Sequence, residues 1–269
     1  MIIGNKKFDL ENEAYIMGIL NVTPDSFSDG GKWNTIEKAL EHAKEMVEEG
    51  AAIIDVGGES TRPGYVQVSI QEEIDRVVPV IKAIKKNLDV AVSIDSYKAD
   101  VVEAAILAGA DLINDIWGLK KDKRMAEVAV KYNVPVCLMH NRENKDYNDF
   151  MEDVLSDLQG SIDTALKAGI KKENIVLDPG VGFAKSQEQN LLVTNKLERL
   201  HELGYPVLLA TSRKSMIGQV LDLPKDERVE GTVATTVIGA MKGASIFRVH
   251  DVKENKRALD MTMAIKRSE

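Results

Sequence analysis

Short polar side chains directly follow most of the apolar runs in this sequence. Carboxylate and amide oxygens accept hydrogen bonds, so several of them together suit a flat heterocycle that is rich in N–H donors. Any one such residue could instead cap a helix or form a turn. Their repetition along the whole chain favours a binding site, and the residues concerned are Asn21, Asp55, Asp95, Asn114, Asp115, His140 and Asp178.

Cationic and titratable side chains follow the last apolar runs of the chain. Lys214, Arg248 and His250 are the residues concerned, and such side chains suit phosphate oxygens. A ligand that carries both a donor-rich ring and a phosphate would therefore satisfy both sets of side chains.

Several familiar site classes are missing from the sequence. Residues 180–185 carry Lys185 where a dinucleotide-binding fingerprint needs its third glycine, and no glycine-rich lead precedes Lys214-Ser215 to make a Walker A loop. No metal-binding HExxH or CxxC spacing and no GxSxG nucleophile elbow occurs. His42 and His201 fall in predicted helices, where we expect solvated surface groups.

Two segments have neither helical nor strand periodicity. Residues 21–31 contain Pro24 and Phe27 among polar residues, and this segment is longer than a usual strand-to-helix loop. We interpret it as a lid that closes over substrate. Residues 57–64 combine glycines with Ser, Thr and Arg, a composition that suits either an oxyanion site or a plain turn.

Apolar runs and amphipathic stretches alternate along the chain and predict the architecture. Runs rich in Ile, Val and Leu are typical of strands buried on both faces of a parallel sheet, and they cover residues 15–20, 51–56, 90–94, 111–113, 134–139, 174–177, 206–210 and 245–249. Helical spacing is found at residues 36–49, 70–86, 99–107, 150–168, 229–241 and 253–265.

Eight strand-and-helix units in one chain predict an α/β fold, a single (β/α)8 TIM-type barrel domain over residues 1–269. An open doubly wound sheet is the alternative. Residues 1–10 form a separate short extended segment, which could plug the N-terminal end of the barrel. Because the strand ends and following loops of a barrel share one face, the polar residues above should converge at one mouth.

The composition of the chain limits the classes of partner that it could bind. The chain has 269 residues, 44% hydrophobic and 29% charged, and its formal net charge of −8 argues against nucleic acid. The one cysteine, Cys137, cannot form an internal disulfide, and no apolar run approaches a membrane span. We therefore predict a cytoplasmic protein with no membrane partner, and we assign Cys137 to the core.

An ordered set of motifs resembles the dihydropteroate synthases. The two longest are ILNVTPDSFSDGG at residues 19–31 and IDVGGESTRPG at residues 54–64. Shorter matches continue to the last strand: SIDS at 93–96, INDI at 113–116, LMH at 138–140, LDPGVGF at 177–183, SRKS at 212–215 and FRVH at 247–250. One motif alone is weak, but the ordered set covers essentially the whole chain.

The resemblance implies a reaction and a set of site residues. The family condenses 6-hydroxymethyl-7,8-dihydropterin diphosphate with 4-aminobenzoate in folate biosynthesis, uses Mg2+, tends to form homodimers and is a sulfonamide target. Carried over, the pterin site comprises Asp95, Asn114, Ile116, Met139, Asp178, Phe183 and Lys214. The diphosphate site comprises Asn21, Thr61, Arg62, Arg248 and His250, with Asn21 near the metal. The aminobenzoate site comprises Phe27, Pro63, Phe183, Lys214 and Ser215.

The chemistry of that reaction needs no protein nucleophile. Negative charge builds on the leaving diphosphate, where Mg2+, Arg248 and His250 would stabilise it. Positive charge develops on the pterin methylene, where Asp95 and the loop residue Asp25 could offset it. The catalytic residues implied are Asp25, Asp95, Lys214 and Arg248.

Two other functions remain open at this stage. A methyltetrahydrofolate-dependent methyltransferase shares the pterin-binding barrel, but it should lack the Thr61-Arg62 and Lys214-Ser215 elements. A catalytically silent pterin-binding relative would keep the motifs without the activity.

Overall fold

Eight parallel strands form a barrel in the computed structural model, which describes residues 1–23, 32–59 and 67–268, with the backbone alone for residues 32–35. The strands are β3 (Tyr15–Asn21), β4 (Ala51–Gly57), β5 (Ala91–Asp95), β6 (Leu112–Asp115), β7 (Val136–Met139), β8 (Ile175–Asp178), β9 (Leu208–Leu209) and β10 (Ile246–Val249). From β3 to β8 each strand pairs with the next in chain order, β9 pairs with β10, and β10 pairs with β3. The predicted barrel is confirmed.

The barrel closes between β8 and β9 by a narrow seam. Leu177 and Val207 form an isolated parallel bridge, and the Leu177 amide donates to the Pro206 carbonyl at 2.9 Å. By contrast, β3 and β4 keep one register from Met17 to Asn21, after a shift between Ile16 and Met17. The closure excludes the open doubly wound sheet.

Helices cover the outside of the barrel. They are α1 (Lys32–Glu48), α2 (Ile70–Asn87), α3 (Ala99–Leu107), α4 (Arg124–Tyr132), α5 (Phe150–Ala168), α6 (Gln187–Asn195), α7 (Ser215–Leu221), α8 (Val229–Met241) and α9 (Val252–Lys266). Side-chain caps begin two of the longest, because Ser69 accepts from the Glu72 amide and Asp149 from the Glu152 amide. Each predicted helix is present, whereas α4, α6 and α7 lie where the sequence analysis named none. No helix in the described ranges has the length and apolar character needed to cross a bilayer.

The N-terminal segment closes one end of the barrel. Residues 1–8 form an antiparallel hairpin of β1 (Ile2–Ile3) and β2 (Lys6–Lys7). Ile3 and Phe8 pack on a layer that takes one apolar residue from each of the eight barrel strands: Met17, Ile53, Ala91, Leu112, Cys137, Val176, Leu208 and Ile246. The hairpin is thus the plug that the sequence analysis left open, and Cys137 is buried in the core as expected.

Candidate active site at the mouth of the barrel

The period of two along a strand explains how the polar residues reach the barrel interior. Residues two or four positions after an inward-facing apolar residue face inward again. Ile53 is followed by Asp55, Ala91 by Asp95, and Ile246 by Arg248 in this way. By the same count, Asn114 follows Leu112 and Asp178 follows Val176. The sequence therefore places a polar layer directly above the apolar one, towards the carboxyl ends of the strands.

Arg248 bridges two buried carboxylates in that layer. Its Nε donates to Asp55 Oδ2 and one terminal nitrogen donates to Asp95 Oδ2, each at 2.5 Å. Asn114 Nδ2 also donates to Asp55 Oδ2, at 3.2 Å. Burial lowers the pKa of Arg248, but Asp55 and Asp95 outweigh it and raise the pKa, so the guanidinium stays charged. The diphosphate role predicted for Arg248 is untested, and in this structure its contacts are with the carboxylates of the ring end.

Two carboxylate oxygens in this layer are buried without a partner. Within residues 1–23, 32–59 and 67–268, the buried side-chain atoms that lack a hydrogen bond are Asp55 Oδ1, Asp95 Oδ1, Ser93 Oγ and Ser245 Oγ. An unpaired buried acceptor costs about 1–3 kcal/mol, so such atoms are rare unless a ligand pairs them. The mouth thus holds acceptors suited to the N–H groups of a ring.

Burial also changes the protonation of the site carboxyls. It raises the pKa of Asp95 to about 7 although Arg248 opposes the shift, and it raises the pKa of Asp178 although Lys214 opposes it. Asp178 Oδ1 accepts from the Gly180 amide at 2.7 Å. Both carboxyls therefore titrate closer to neutrality than exposed ones do, and a ligand that donates to them favours their ionised form.

Lys214 lies beside Asp178 and Phe183. Its ammonium donates to the Val181 carbonyl and lies 5.0 Å from the centroid of the Phe183 ring. Burial lowers the pKa of Lys214 to about 8, against the opposing effect of Asp178. Ser215, which begins α7, is exposed beside it. The aminobenzoate role of these two residues stays a prediction.

An apolar wall lies beside the carboxylates. Ile116, Met139 and Tyr97 form a small buried cluster that is separate from the main core, and Phe183 and Trp117 pack against it. Asp95 and Asn114 are paired neighbours in the sheet, as are Met139 and Asp178. The predicted pterin residues are therefore brought together as acceptors flanked by an apolar surface, which suits a flat polar ring.

The predicted diphosphate end is described in part. Asn21 ends β3 opposite Gly57, and a Cβ added to Gly57 would lie 3.7 Å from Asn21 Oδ1 and 3.6 Å from Asp95 Cβ. The glycine thus keeps the space between these two side chains open. His250 Nδ1 lies 2.9 Å from Ser212 Oγ. Asp25, Phe27, Thr61, Arg62 and Pro63 lie outside the described residues, as does most of the predicted lid.

A buried charge cluster supports the edge of the second unusual loop. Lys98 Nζ contacts Glu59 Oε2 and Glu73 Oε2, each at 2.7 Å. Tyr97 donates to Glu59 Oε1 at 2.8 Å. Burial lowers the pKa of Lys98, but the two carboxylates outweigh it and raise the pKa. These contacts fix Glu59, the last residue described before the loop.

Two residues of the mouth were not assigned a role from the sequence. Asp55 was counted among the strand-end acids, yet the carried-over site omitted it, although it contacts both Arg248 and Asn114. Lys185 was noticed for breaking a dinucleotide fingerprint, and it proves to be buried beneath the turn that follows Asp178. The sequence signal for Asp55 was its position two residues after Ile53, which puts both side chains on the inner face of β4. A lysine in an otherwise apolar and glycine-rich stretch was the signal for Lys185.

No group of three or more His, Cys, Asp or Glu side chains in the described parts of the chain is arranged to hold a metal ion. Asn21, the predicted metal ligand, offers one amide oxygen at the end of β3. Protein sites for Mg2+ often supply only one or two oxygens and leave the rest to substrate phosphates and water. The donor set therefore fits a magnesium ion that binds together with a diphosphate.

Comparisons with known proteins show the family of the chain. Residues 17–250 match the family model described as pterin binding enzyme. The chain is 66% identical to a dihydropteroate synthase of Clostridium beijerinckii over 99% of its own length and 100% of the relative's. It is 58% identical to the Bacillus subtilis dihydropteroate synthase, over 95% of this chain and 90% of that one.

Solved structures show the same architecture. A dihydropteroate synthase from Clostridium difficile, crystallised in the presence of pteroic acid, superimposes with a TM-score of 0.95 at 56% identity, covering 97% of this chain and 100% of that one. The Yersinia pestis dihydropteroate synthase in a sulfonamide drug complex gives 0.92 at 45% identity, covering 100% and 99%. A Xanthomonas albilineans dihydropteroate synthase with 4-aminobenzoic acid gives 0.92 at 41% identity, covering 96% and 95%. The chain therefore belongs to the dihydropteroate synthases, within the family of pterin binding enzymes.

Proposed function

We propose that this chain condenses 6-hydroxymethyl-7,8-dihydropterin diphosphate with 4-aminobenzoate to give 7,8-dihydropteroate and diphosphate in folate biosynthesis. The observation that supports it best is the unpaired pair of buried oxygens, Asp55 Oδ1 and Asp95 Oδ1, beside the Arg248 guanidinium. A pterin ring presents N–H donors in one plane, and the apolar wall of Ile116 and Met139 suits its faces.

The chemistry of the side chains at the mouth suggests which part of the reaction each one serves. The C–O bond between the pterin methylene and the diphosphate breaks, and diphosphate keeps the bonding pair. Asp95 and Asp178 accept from the ring and favour the positive charge that develops on the methylene. The amine lone pair of aminobenzoate then forms the C–N bond, and its proton leaves to solvent. Lys214 and Phe183 form the side of the pocket from which the amine approaches.

Magnesium is part of this proposal. Asn21 would hold the ion together with oxygens of the diphosphate. Bound there, the ion would neutralise charge on the leaving group. His250 and Arg248 are the side chains of the described mouth that would add to that neutralisation, and Thr61 and Arg62 are assigned to the same end from the family resemblance.

A product assay tests the proposed function. The protein is mixed with the pterin diphosphate, Mg2+ and 4-aminobenzoate, and both diphosphate and dihydropteroate are measured. We expect the two products in equal amounts, with diphosphate release that depends on the amine and is lost in Asp95→Ala. A silent pterin-binding protein would bind the pterin and release nothing. Methyl transfer from methyltetrahydrofolate without condensation would support the rival methyltransferase.

The predicted homodimer is also a proposal, and the helices α7 to α9 are the face we assign to it. Large apolar side chains are exposed on all three of these consecutive helices: Val220, Leu221, Ile238, Met241, Met261 and Ile265. Burying such a patch against a second copy would remove it from water. Light scattering should give twice the mass of the chain for the protein and for Leu107→Glu, an exposed apolar position on α3. Met241→Glu should give a monomer, and a dimeric Met241→Glu would refute this face.

The cytoplasmic location remains a prediction from the single cysteine and from the lack of an apolar run of membrane-spanning length in the sequence. Fractionation of cells that produce the protein at its natural level would test it, and recovery outside the cytoplasm would contradict it.

A further inference from the structure

Lys185 is a buried cation that the mechanism above does not use. It lies two residues after the turn that leads from Asp178 to Phe183, and it is only 4% exposed. Burial lowers the pKa of its ammonium to about 7, against the opposing effect of Asp178. A lysine in such a place is costly to a protein unless its hydrogen bonds are satisfied.

The ammonium finds three acceptors for its three N–H groups. Lys185 Nζ lies 2.8 Å from His140 Nδ1, and it donates to the carbonyls of Gly180 at 3.0 Å and Phe183 at 3.1 Å. Two of these acceptors belong to the turn itself, and the third belongs to the residue that follows β7. The lysine therefore ties the turn to the neighbouring strand of the barrel.

His140 is held in the form that this contact requires. Its Nε2 lies 3.1 Å from Asp157 Oδ2, and Arg142 Nε donates to the same oxygen at 2.5 Å. A proton on Nε2 that points to Asp157 leaves Nδ1 as an acceptor for Lys185. Burial lowers the pKa of His140 to about 4, so the ring is neutral near neutral pH.

The turn needs such support because its backbone is unusual. Gly180 has a φ of 67°, and a Cβ there would lie 1.9 Å from the His140 carbonyl oxygen. Ala184 has a φ of 46°, which is strained for a residue with a side chain, and its carbonyl accepts from the Tyr147 hydroxyl at 2.9 Å. The contacts from His140, Tyr147 and Lys185 hold a conformation that the turn would not adopt alone.

The same turn carries groups of both predicted substrate sites. The Gly180 amide donates to Asp178 Oδ1, while the Gly180 carbonyl accepts from Lys185. The Phe183 carbonyl accepts from Lys185, while the Phe183 ring lies under the Lys214 ammonium. One lysine thus contacts the backbone behind the pterin carboxylate and the backbone behind the aminobenzoate wall.

We propose that Lys185 is a positioning residue that aligns Asp178 and Phe183 together, through His140 and the two turn carbonyls. The proposal rests on the proposed function for the identity of the two substrates. Lys185 touches neither substrate, and its effect is on the direction of the carboxylate and the ring. Its removal should therefore weaken both substrate sites at once, which a defect in either site alone would not do.

The test compares two lysines that lie at opposite ends of the barrel. Lys185→Met removes the ammonium but keeps most of the length of the side chain. Lys85→Met is the control, because Lys85 is a partly buried lysine away from the mouth, with Asp111 Oδ2 at 2.7 Å and the Val90 carbonyl at 3.5 Å. Each variant is measured for thermal unfolding, for the Kd of a pterin without diphosphate, and for the KM of aminobenzoate at saturating pterin.

In Lys185→Met we expect the pterin Kd and the aminobenzoate KM each to rise roughly ten-fold, the size of one well-placed hydrogen bond to a charged group. In Lys85→Met we expect a lower melting temperature with both constants unchanged. A Lys185→Met protein that loses thermal stability but keeps the wild-type Kd and KM would overturn the proposal, since the lysine would then be structural only.

Two further arrangements keep the test decisive. If Lys185→Met does not fold, Lys185→Gln is used, because its neutral amide is shorter than the lysine and cannot reach His140 and both turn carbonyls together. We expect the pterin Kd and the aminobenzoate KM to rise together in that variant, and wild-type values of both would overturn the proposal. The pterin Kd is measured by calorimetry without turnover. A wild-type protein that binds pterin but does not condense it would refute the proposed reaction, while the Kd comparison would still decide the role of Lys185.

Discussion

The same strands form both ends of the barrel, but one end is apolar and the other is polar. At the N-terminal end, Ile3 and Phe8 close an apolar layer to which each of the eight barrel strands contributes a side chain. At the mouth, the same strands contribute carboxylates and a guanidinium, and some of their oxygens stay unpaired.

The difference teaches where stability and binding are located. At the plugged end, the chain's own side chains fill the barrel. Substitutions there should therefore change the free energy of unfolding with little effect on substrate binding. At the mouth, a ligand supplies hydrogen-bond partners for buried charged side chains. Substitutions there should therefore change ligand binding more than the burial of the substituted side chain suggests. The following predictions test that separation.

The largest effect should come from the plug. Phe8→Ala removes a buried ring that lies edge-to-face with Tyr15 at a centroid distance of 4.8 Å. We expect the free energy of unfolding to fall by about 3–5 kcal/mol, with an unchanged KM for both substrates at a temperature where the protein is folded. Denaturant unfolding and steady-state kinetics measure the two quantities. A changed KM would show that the two ends are coupled.

Arg248→Met should give the next largest effect, and at the other end. It leaves Asp55 and Asp95 buried without their cation. We expect turnover to fall by roughly 10²–10³-fold, the size found when one charge-stabilising donor is removed from an active site. Binding of the pterin with and without its diphosphate distinguishes two roles. A loss confined to the diphosphate form would support the diphosphate role, and an equal loss would assign Arg248 to the ring end.

Asp178→Asn should have a smaller effect within the mouth. The amide can keep an oxygen towards the Gly180 amide, so its N–H2 group replaces the acceptor that faces the ring. An unpaired buried polar group costs about 1–3 kcal/mol, so pterin affinity should fall roughly ten-fold or more. Calorimetry measures the affinity, and near-native thermal unfolding is the control. Unchanged affinity in the folded variant would remove Asp178 from the site.

The smallest effect should be a pH dependence. Burial raises the pKa of Asp95 to about 7, in a site where Asp55, Glu73, Arg248 and Lys214 also act on it. Because the ionised form accepts from the ring, pterin affinity should fall roughly four-fold between pH 8 and pH 6.5. The stability effect has the opposite sign, since a raised folded pKa destabilises the fold as the pH rises from about 4 to about 7. Asp95→Asn should flatten the binding profile, and a profile that stays steep in that variant would assign it to another group.

The barrel could be predicted because its signals are local. Ile, Val and Leu in short runs, followed by long amphipathic stretches, specify strands and helices without knowledge of distant partners. Of the three helices that the sequence analysis did not name, α4 carries that signal, since it buries Met125, Val128 and Ala129. The other two lack it. The α6 segment buries only Asn190, Val193 and Thr194, and α7 is seven residues long with Gly218 inside it.

The site was predictable as a set of residues but not as a set of contacts. Strand ends and parity identify Asp95, Asn114 and Asp178, because those are local properties of each strand. The bonds from Arg248 to Asp55 and Asp95 join residues 193 and 153 positions apart, and nothing local determines such a pairing. Lys185 escaped assignment for the same reason, since its meaning depends on His140, 45 positions earlier.

The narrow seam between β8 and β9 should determine where the sheet opens locally. Local opening of a sheet costs least where few hydrogen bonds must break, and amide hydrogen exchange reports that cost. The Leu177 amide at the seam should therefore exchange faster than the β4 amides that pair with β3. Leu177 immediately precedes Asp178, so a ligand that fixes Asp178 should slow exchange at the seam more than anywhere else in the sheet.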